Sequence, residues 1–167
     1  KRSKLSTTMS LLSSGTSNEE RTSLFINSDD TVRFFSSESA SVAKLIKSNA
    51  LLRDTSAWYH LVLRYDSTQS TNTDRIRFYL NGSEMTYQSS PTYPAQNNSS
   101  IYIGSDDTHG VGCLFYGSTA TEFFDGYMAE THYIDGTSYD HTQFGEFDNN
   151  GVWIPKKYTG GYGTNGF

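Results

Sequence analysis

Several features that restrict the function of a protein are scarce in this sequence of 167 residues. It contains one cysteine, Cys113, which excludes an intrachain disulfide and a thiolate metal cluster. No apolar run reaches the roughly 18 residues of a membrane-spanning helix, so we expect no membrane insertion. The first residues, from Lys1 to Leu5, lack the apolar stretch of a signal peptide.

Charge is also sparse. Charged residues make up 19% of the chain, and 13 Lys and Arg face 18 Asp and Glu, which gives a formal net charge of -5. Phosphate binding requires a continuous basic stripe, which these scattered cations do not supply. The composition therefore argues against a nucleic-acid partner.

Aromatic residues, in contrast, are abundant, with 12 Tyr, 10 Phe and 2 Trp. Disordered chains are poor in aromatic residues, so the many serines and threonines do not indicate disorder here. Thr and Tyr favour strands, while Ser, Asn, Gly and Asp favour turns. The composition predicts an exposed, turn-rich β protein.

The clearest strands are predicted at residues 58–66 and 75–80, where apolar and polar residues alternate. Asn81-Gly82 follows the second of these and is the strongest two-residue hairpin signal, with a return strand at 84–87. The core-facing side chains are then Trp58, Leu61, Leu63, Tyr65, Ile76, Phe78 and Leu80. The outward set is His60, Val62, Arg64, Arg75, Arg77 and Tyr79.

Shorter strands complete the expected fold. Residues 22–27 and 31–35 predict a hairpin around Asp29-Asp30, and further strands are predicted at 101–103 and 127–134. Residues 41–47 fit either a continuation of the meander or a brief helix.

One helical turn is predicted at residues 140–144. Asp140 is its N-cap, Gln143 completes a capping box, and Gly145 provides a left-handed C-terminal cap. Seven or more short strands and one helical turn indicate a single all-β domain over residues 1–167. The expected architecture is an antiparallel two-sheet jelly-roll sandwich.

Four stretches resemble a known superfamily. Trp58-Tyr59-His60 begins one strand, Asn81-Gly82 ends the next, and Ile101–Gly104 and Phe124–Glu130 follow. The pattern is similar to the laminin-G, pentraxin and concanavalin A-like sandwiches. The resemblance implies a concanavalin A-like, lectin-type fold.

The C-terminal part resembles a more particular group, the lectin-like structural proteins of tailed phages of the aquatic type. The residues that carry this resemblance are Ile134-Asp135-Gly136, Phe144-Gly145-Glu146, Gly151–Tyr158 and Tyr162–Phe167. It implies a virion structural protein on the surface of a capsid or tail, as a capsid decoration or tail-fibre module. Its partners would be other virion proteins and further copies of the chain.

The sequence departs from that phage pattern in one respect. It starts and stops inside the pattern, so we expect a jelly roll that is incomplete at both ends. An unclosed sheet edge would then lie at one side.

Catalytic sets are incomplete. Retaining glucanases of this superfamily use a Glu-x-Asp-x-x-Glu strand, whose two carboxylates act as nucleophile and acid. Here Glu146-Phe147-Asp148 continues to Gly151 without the second Glu, and no Gly-x-Ser-x-Gly is present. We expect no catalytic residues and no enzyme activity, with a glycoside hydrolase as the weakest alternative.

Glycan binding is the main alternative function, as a module for attachment to host cell-surface glycans. Sugars stack on aromatic rings, and five tyrosines near loops are candidates for this role. An alternative role for such tyrosines is to fill rims or subunit contacts. The candidates are Tyr93, Tyr102, Tyr116, Tyr158 and Tyr162.

No resident cofactor is expected, although calcium is an alternative. Asp106-Asp107 and Asp125 are the candidate ligands. Calcium takes six to eight oxygen ligands, and a pair of aspartates is also an ordinary turn sequence. His60 and His132 are expected to make structural hydrogen bonds, and Trp153 to hold the C-terminal segment against the sheet.

Overall fold

The computed structural model of the chain describes residues 1–38, 41–98 and 101–167. Twelve strands follow one another along these residues. They are β1 (Met9–Gly15), β2 (Arg21–Ile26), β3 (Thr31–Glu38), β4 (Ser41–Leu51), β5 (Leu61–Tyr65), β6 (Ile76–Leu80), β7 (Ser83–Glu84), β8 (His109–Val111), β9 (Leu114–Tyr116), β10 (Thr119–Thr121), β11 (Gly145–Phe147) and β12 (Trp153–Pro155).

Two antiparallel sheets form the body of the domain. The large sheet has the order β4-β3-β2-β1-β8, and the small sheet has the order β5-β6-β7. Two hairpins, β9-β10 and β11-β12, complete the strands. The helices in the described part of the chain are 3-10 turns at Asn72–Asp74 and His141–Gln143, and neither could cross a membrane.

The core lies between the two sheets. In the large sheet Leu24, Phe34 and Ile46 stand opposite one another across three strands, so their side chains share one face. Phe34 and Ile46 are fully buried there, together with Ile76 and Phe78 of the small sheet. The all-β sandwich expected from the sequence is therefore confirmed.

The segment after β7 crosses from the small sheet to the large one. Thr92 and Leu45 exchange backbone hydrogen bonds of 2.8 and 2.9 Å, and Gln88 donates to the carbonyl of Lys47. These bonds cover the outer edge of β4. They also decide between the two alternatives for residues 41–47, which continue the meander as a strand.

The Asn81-Gly82 turn is confirmed. Asn81 has φ 48° and Gly82 has φ 79°, the left-handed pair that a type I′ hairpin requires. The Asn81 side chain also accepts a hydrogen bond of 2.8 Å from the backbone N–H of His60. The turn therefore fixes the start of β5 as well as the end of β6.

Two predicted strands are wrong. Residues 101–103 form bends, because Tyr102 donates its N–H to the Thr22 hydroxyl and accepts a turn bond from Ser105. Residues 127–134 are irregular, because their backbone groups bond the ends of the chain. Tyr127 donates to the carbonyl of Lys1, and Tyr133 exchanges two hydrogen bonds with Phe167.

One predicted side-chain position is wrong, because Trp58 is 56% exposed and lies outside the core. Two residues of the outward set are nevertheless buried. The Arg75 guanidinium donates to the carbonyls of Gln69, Ser70 and Pro94. Tyr79 lies on the outer face of the small sheet as expected, but His141 covers it there.

The predicted helical turn is confirmed in a shorter form. Asp140 caps it, and its side chain accepts a hydrogen bond of 3.2 Å from the N–H of Thr142. The prediction for Gly145 is wrong, because this glycine begins β11 instead of capping a helix in the left-handed conformation.

A buried ion pair holds the N-terminal residues. Arg2 Nη1 lies 2.9 Å from Asp30 Oδ1, and these side chains are 0% and 5% exposed. Arg53 reaches the other carboxylate oxygen from the surface. Burial alone would raise the pKa of Asp30, but hydrogen bonds from Ser6, Arg53 and Arg2 lower it.

Candidate carbohydrate-binding site

Residues 138–167, the C-terminal layer, lie against the outer face of the small sheet. The His141 ring stacks on Tyr79 with 4.2 Å between ring centroids. Trp153 Nε1 donates a hydrogen bond of 3.0 Å to His60 Nδ1. The expected structural hydrogen bond of His60 is confirmed, and so is the expected role of Trp153 in holding this segment against the sheet.

Five rings form an aromatic cluster between the C-terminal layer and the preceding loop. Tyr158 is at its centre, 5.3 Å from Tyr162 and 5.2 Å from Phe144 between ring centroids. The Tyr162 hydroxyl lies 3.1 Å from His132 Nδ1, which agrees with the expected structural hydrogen bond of this histidine. The members of the cluster are His132, Tyr139, Phe144, Tyr158 and Tyr162.

An open cleft of about 320 Å³ borders this cluster. Glu130, Pro155, Lys156 and Lys157 line it. Glu130 Oε2 lies 3.4 Å from His132 Nε2, which joins the cleft to the aromatic cluster. In the cleft, the Glu130 carboxylate accepts hydrogen bonds and the ammonium groups of Lys156 and Lys157 donate them. Sugar hydroxyls both donate and accept, so they can bond to both kinds of group.

The backbone of Glu130 is unusual, with φ 50°. A non-glycine residue in this left-handed region is uncommon, and such residues occur often at binding sites.

The structure brings together only part of the predicted tyrosine set. Tyr158 and Tyr162 meet in the aromatic cluster, but Tyr158 is only 8% exposed and its hydroxyl donates to Gly161. Tyr93 packs against the core. Tyr102 lies beside β2, and Tyr116 lies on β9 next to Arg21.

The predicted calcium ligands are separated. Asp125 donates its backbone N–H to the sulfur of Met9, at the start of β1. Asp106 and Asp107 precede His109, which pairs with Ser14 near the other end of β1. Among residues 1–38, 41–98 and 101–167, no group of three or more His, Cys, Asp or Glu is placed to hold a metal ion.

The two acids that resemble a glucanase strand lie in the β11-β12 hairpin. Glu146 is exposed, 3.9 Å from Lys156. Asp148 accepts hydrogen bonds of 2.8 and 2.9 Å from the N–H groups of Val152 and Asn150, and these bonds lower its pKa. Asp148 therefore stabilises the turn between the two strands.

Sequence reasoning missed the polar side of the cleft. Lys156-Lys157 directly after Pro155 was a visible signal, since proline within a sheet is confined mainly to edge strands and lysine is rarely buried. Glu130 had no such signal, because its place depends on the irregular path of residues 127–134. Exposed rings were also missed, namely Trp58, Phe123, Tyr127 and Phe147.

Two packed antiparallel sheets with a core between them define a β-sandwich. The chain belongs to the concanavalin A-like lectin/glucanases superfamily, because a laminin-G-type family model of that description matches residues 1–137. No curated protein and no solved structure matches the chain. The whole C-terminal layer lies beyond the matched residues.

Proposed function

We propose that this chain is a non-catalytic structural module of a phage particle, displayed on the capsid or tail. The observation that carries this proposal is the way the C-terminal layer packs. Its motifs resemble phage structural proteins, and Trp153 and His141 fasten it to His60 and Tyr79 of the sandwich. The segment that carries the resemblance is thus an integral layer of the domain.

Mass spectrometry of purified particles of a phage that encodes the chain tests this role. The chain should be present in stoichiometric amounts, and electron microscopy should place it on the capsid or tail surface. Its absence from purified particles would contradict the structural role. Detection of the chain in infected cells but not in purified particles would also contradict the structural role.

The non-catalytic part of the proposal is supported by Glu146 and Asp148. A retaining glucanase needs two carboxyl groups about 5 to 5.5 Å apart that are free to act as nucleophile and acid. Asp148 is instead occupied by the turn, and Glu146 faces Lys156. Incubation with β-glucan should release no reducing sugar, and cleavage that Glu146→Gln abolishes would contradict this.

Carbohydrate binding is the second candidate function, favoured by the cleft beside the aromatic cluster. A single site of about 1 mM affinity corresponds to only about -4 kcal/mol. Display in many copies raises the avidity by about 10² to 10⁴, so a shallow polar cleft suffices. The partners would be host cell-surface glycans.

A glycan array probed with a multimeric form of the domain tests this function. Binding should fall when Lys156 and Lys157 are both changed to Gln, since these ammonium groups line the cleft. Lys4→Gln is the matched control, because Lys4 is exposed and does not line the cleft. Equal binding by all three forms would exclude the cleft.

The proposal includes no resident metal, with calcium at Asp106 and Asp107 as the alternative. Tight calcium binding to the native state would raise the melting temperature. We expect the same melting temperature in calcium and in chelator. A rise with calcium that Asp107→Asn removes would establish the alternative.

A further inference from the structure

The outer face of the large sheet carries arginine and aromatic side chains. Phe25 pairs with Arg33, and Arg21 pairs with Ser37. Phe35 lies on β3, midway between Arg33 and Ser37. Residues directly opposite one another share a face, so these side chains point away from the core.

The two guanidinium groups lie among three aromatic rings. Arg33 Cζ is 5.3 Å from the ring centroid of Phe25 and 5.4 Å from that of Phe35. Arg21 Cζ is 5.2 Å from the same Phe35 ring and 5.6 Å from Tyr116. Both arginines therefore flank one ring, and contact with aromatic faces orients their planes.

These arginines lack the carboxylate partners that half-buried arginines usually have. Arg21 donates to the carbonyl of Asn18. Within residues 1–38, 41–98 and 101–167, the Arg33 side chain has no hydrogen bond or ion pair, and no carboxylate lies within 4.0 Å of either guanidinium. The Nε atoms of both arginines are buried without a partner.

Burial lowers the pKa of both arginines, and the charge of Arg21 lowers the pKa of Arg33 further. The charge of Glu122 acts on both in the opposite direction but makes no ion pair with either guanidinium. Buried hydroxyls on the same face are also unpartnered, those of Ser10, Ser23 and Ser37. An oxyanion placed here would relieve the repulsion between the two cations.

A cavity of about 90 Å³ extends this face on the side of β4. Lys47 stands opposite Arg33 in the sheet and lines the cavity with Leu45 and residues 88–91. Lys47 also pairs with Asp29. The cavity provides room for a neutral part of a ligand whose anionic group lies at the arginines.

We propose that the outer face of the large sheet binds an acidic saccharide, whose carboxylate or sulfate group is held by Arg21 and Arg33. The half-buried rings of Phe35 and Tyr116 supply apolar contact for the sugar. The inference rests on the proposed carbohydrate recognition for its ligand class, but it uses a surface separate from the cleft. The opposite outer face, on the small sheet, is covered by the C-terminal layer.

Isothermal titration of the whole chain with paired oligosaccharides tests the site. A galacturonate hexasaccharide carries only carboxylates, and a κ-carrageenan hexasaccharide carries only sulfates. Their neutral counterparts are the methyl-esterified and desulfated forms. We expect at least one acidic form to bind about tenfold or more tightly than its neutral counterpart, with affinity that falls as salt rises.

Variants locate the binding. Arg33→Gln and Arg21→Gln should each weaken binding of the acidic form about tenfold or more. Arg77→Gln is the matched control, because Arg77 lies on the small sheet and pairs with Asp74 and Glu84. If Arg33→Gln fails to fold, Arg33→Lys takes its place in the experiment. This variant keeps the charge but loses the planar guanidinium, so its affinity for the acidic form should be intermediate.

Three results would overturn the inference. They are equal affinity for the acidic and neutral forms, no binding of either, and equal losses in Arg33→Gln and Arg77→Gln. If sodium sulfate binds as tightly as the saccharides, the site recognises a free anion, and the saccharide part of the inference is wrong. Loss of array binding in the cleft variants, with acidic binding intact, would show that the two surfaces act independently.

Discussion

At the scale of single residues, the buried pair of Arg2 and Asp30 shows how burial changes the contribution of an ion pair to stability. Arg2 is fully buried, whereas Arg53 meets the same carboxylate from a side chain that is 62% exposed. Removal of one partner from a buried pair leaves an uncompensated charge, but an exposed pair contributes little.

We therefore expect Arg2→Met to lower the free energy of unfolding by about 3–5 kcal/mol. The same change at Arg53 should cost less than about 1 kcal/mol, because its pair is solvated. Urea denaturation followed by circular dichroism measures both. Similar losses in the two variants would mean that the Arg2 pair is not insulated from solvent.

The two tryptophans provide a second comparison. Trp153→Phe removes the hydrogen bond to His60 and replaces the indole, 5.0 Å from the Phe147 ring between centroids, with a smaller ring. We expect a loss of about 1–2 kcal/mol in the free energy of unfolding. Trp58→Phe should change it by less than about 0.5 kcal/mol, because Trp58 is 56% exposed. The same denaturation experiment ranks the two, and a larger effect at Trp58 would contradict its exposed position.

At the scale of elements, the β6-β7 hairpin joins the small sheet to the C-terminal layer. A side chain at Gly82 would collide with the Trp153 ring, and Gly82 also has φ 79°. Gly151 has φ 76°, but it has open space around it.

Gly151→Ala should therefore cost only the left-handed strain, about 1–2 kcal/mol. Gly82→Ala should cost more than this, because it also displaces Trp153. Thermal denaturation compares the variants, and a shift in Trp fluorescence should appear in Gly82→Ala alone. Equal destabilisation without that shift would show that Trp153 does not rest on the hairpin.

The elements that the sequence predicted well are those with local signals. Asn81-Gly82 encodes its own turn, and Asp140 its own cap. The strand β1 was missed because Met9–Gly15 has serines on both faces, and some of them are buried. Period-two alternation cannot reveal a strand whose core-facing positions are polar.

The candidate site was less predictable than the fold. Tyr158 and Tyr162 are close in sequence, so their meeting in one cluster followed from their spacing. Glu130 and His132 join them only through the folded path of the chain. The contact of the Arg21 guanidinium with the Phe35 ring likewise depends on the register of β2 and β3, which no local motif specifies.

At the scale of the whole molecule, His60 links stability to pH. Burial and the nearby His141 lower the pKa of His60, so it resists protonation in the folded state. The unfolded chain takes up that proton near pH 6.5. The unfolded state therefore binds more protons below this pH, and the free energy of unfolding falls as pH falls.

We expect the melting temperature to drop between pH 7.5 and pH 5.5. His60→Asn should show a smaller drop, because the amide oxygen can still accept from Trp153 and does not titrate. A second fall is expected below about pH 4, where Asp66 loses the stabilising hydrogen bonds from Thr68 that lower its pKa. An equal drop in wild type and His60→Asn between pH 7.5 and 5.5 would exclude His60 as the cause.

The two outer faces of the sandwich differ in what covers them. The C-terminal layer covers the small sheet through Tyr79 and His60, whereas the large sheet carries Arg21 and Arg33. The domain therefore has one outer face covered by its own chain and one outer face that carries two arginines, although the net charge of the chain is -5.

The pairing of β1 with β8 also has a consequence for biosynthesis. Ser13 pairs with Gly110 of β8, which lies 97 residues later in the chain. At roughly 5–20 residues per second, the ribosome delivers that partner about 5–20 s after Ser13. During this interval the free edge of β1 is open to wrong partners, so slower translation or crowding of nascent chains should lower the yield of folded protein.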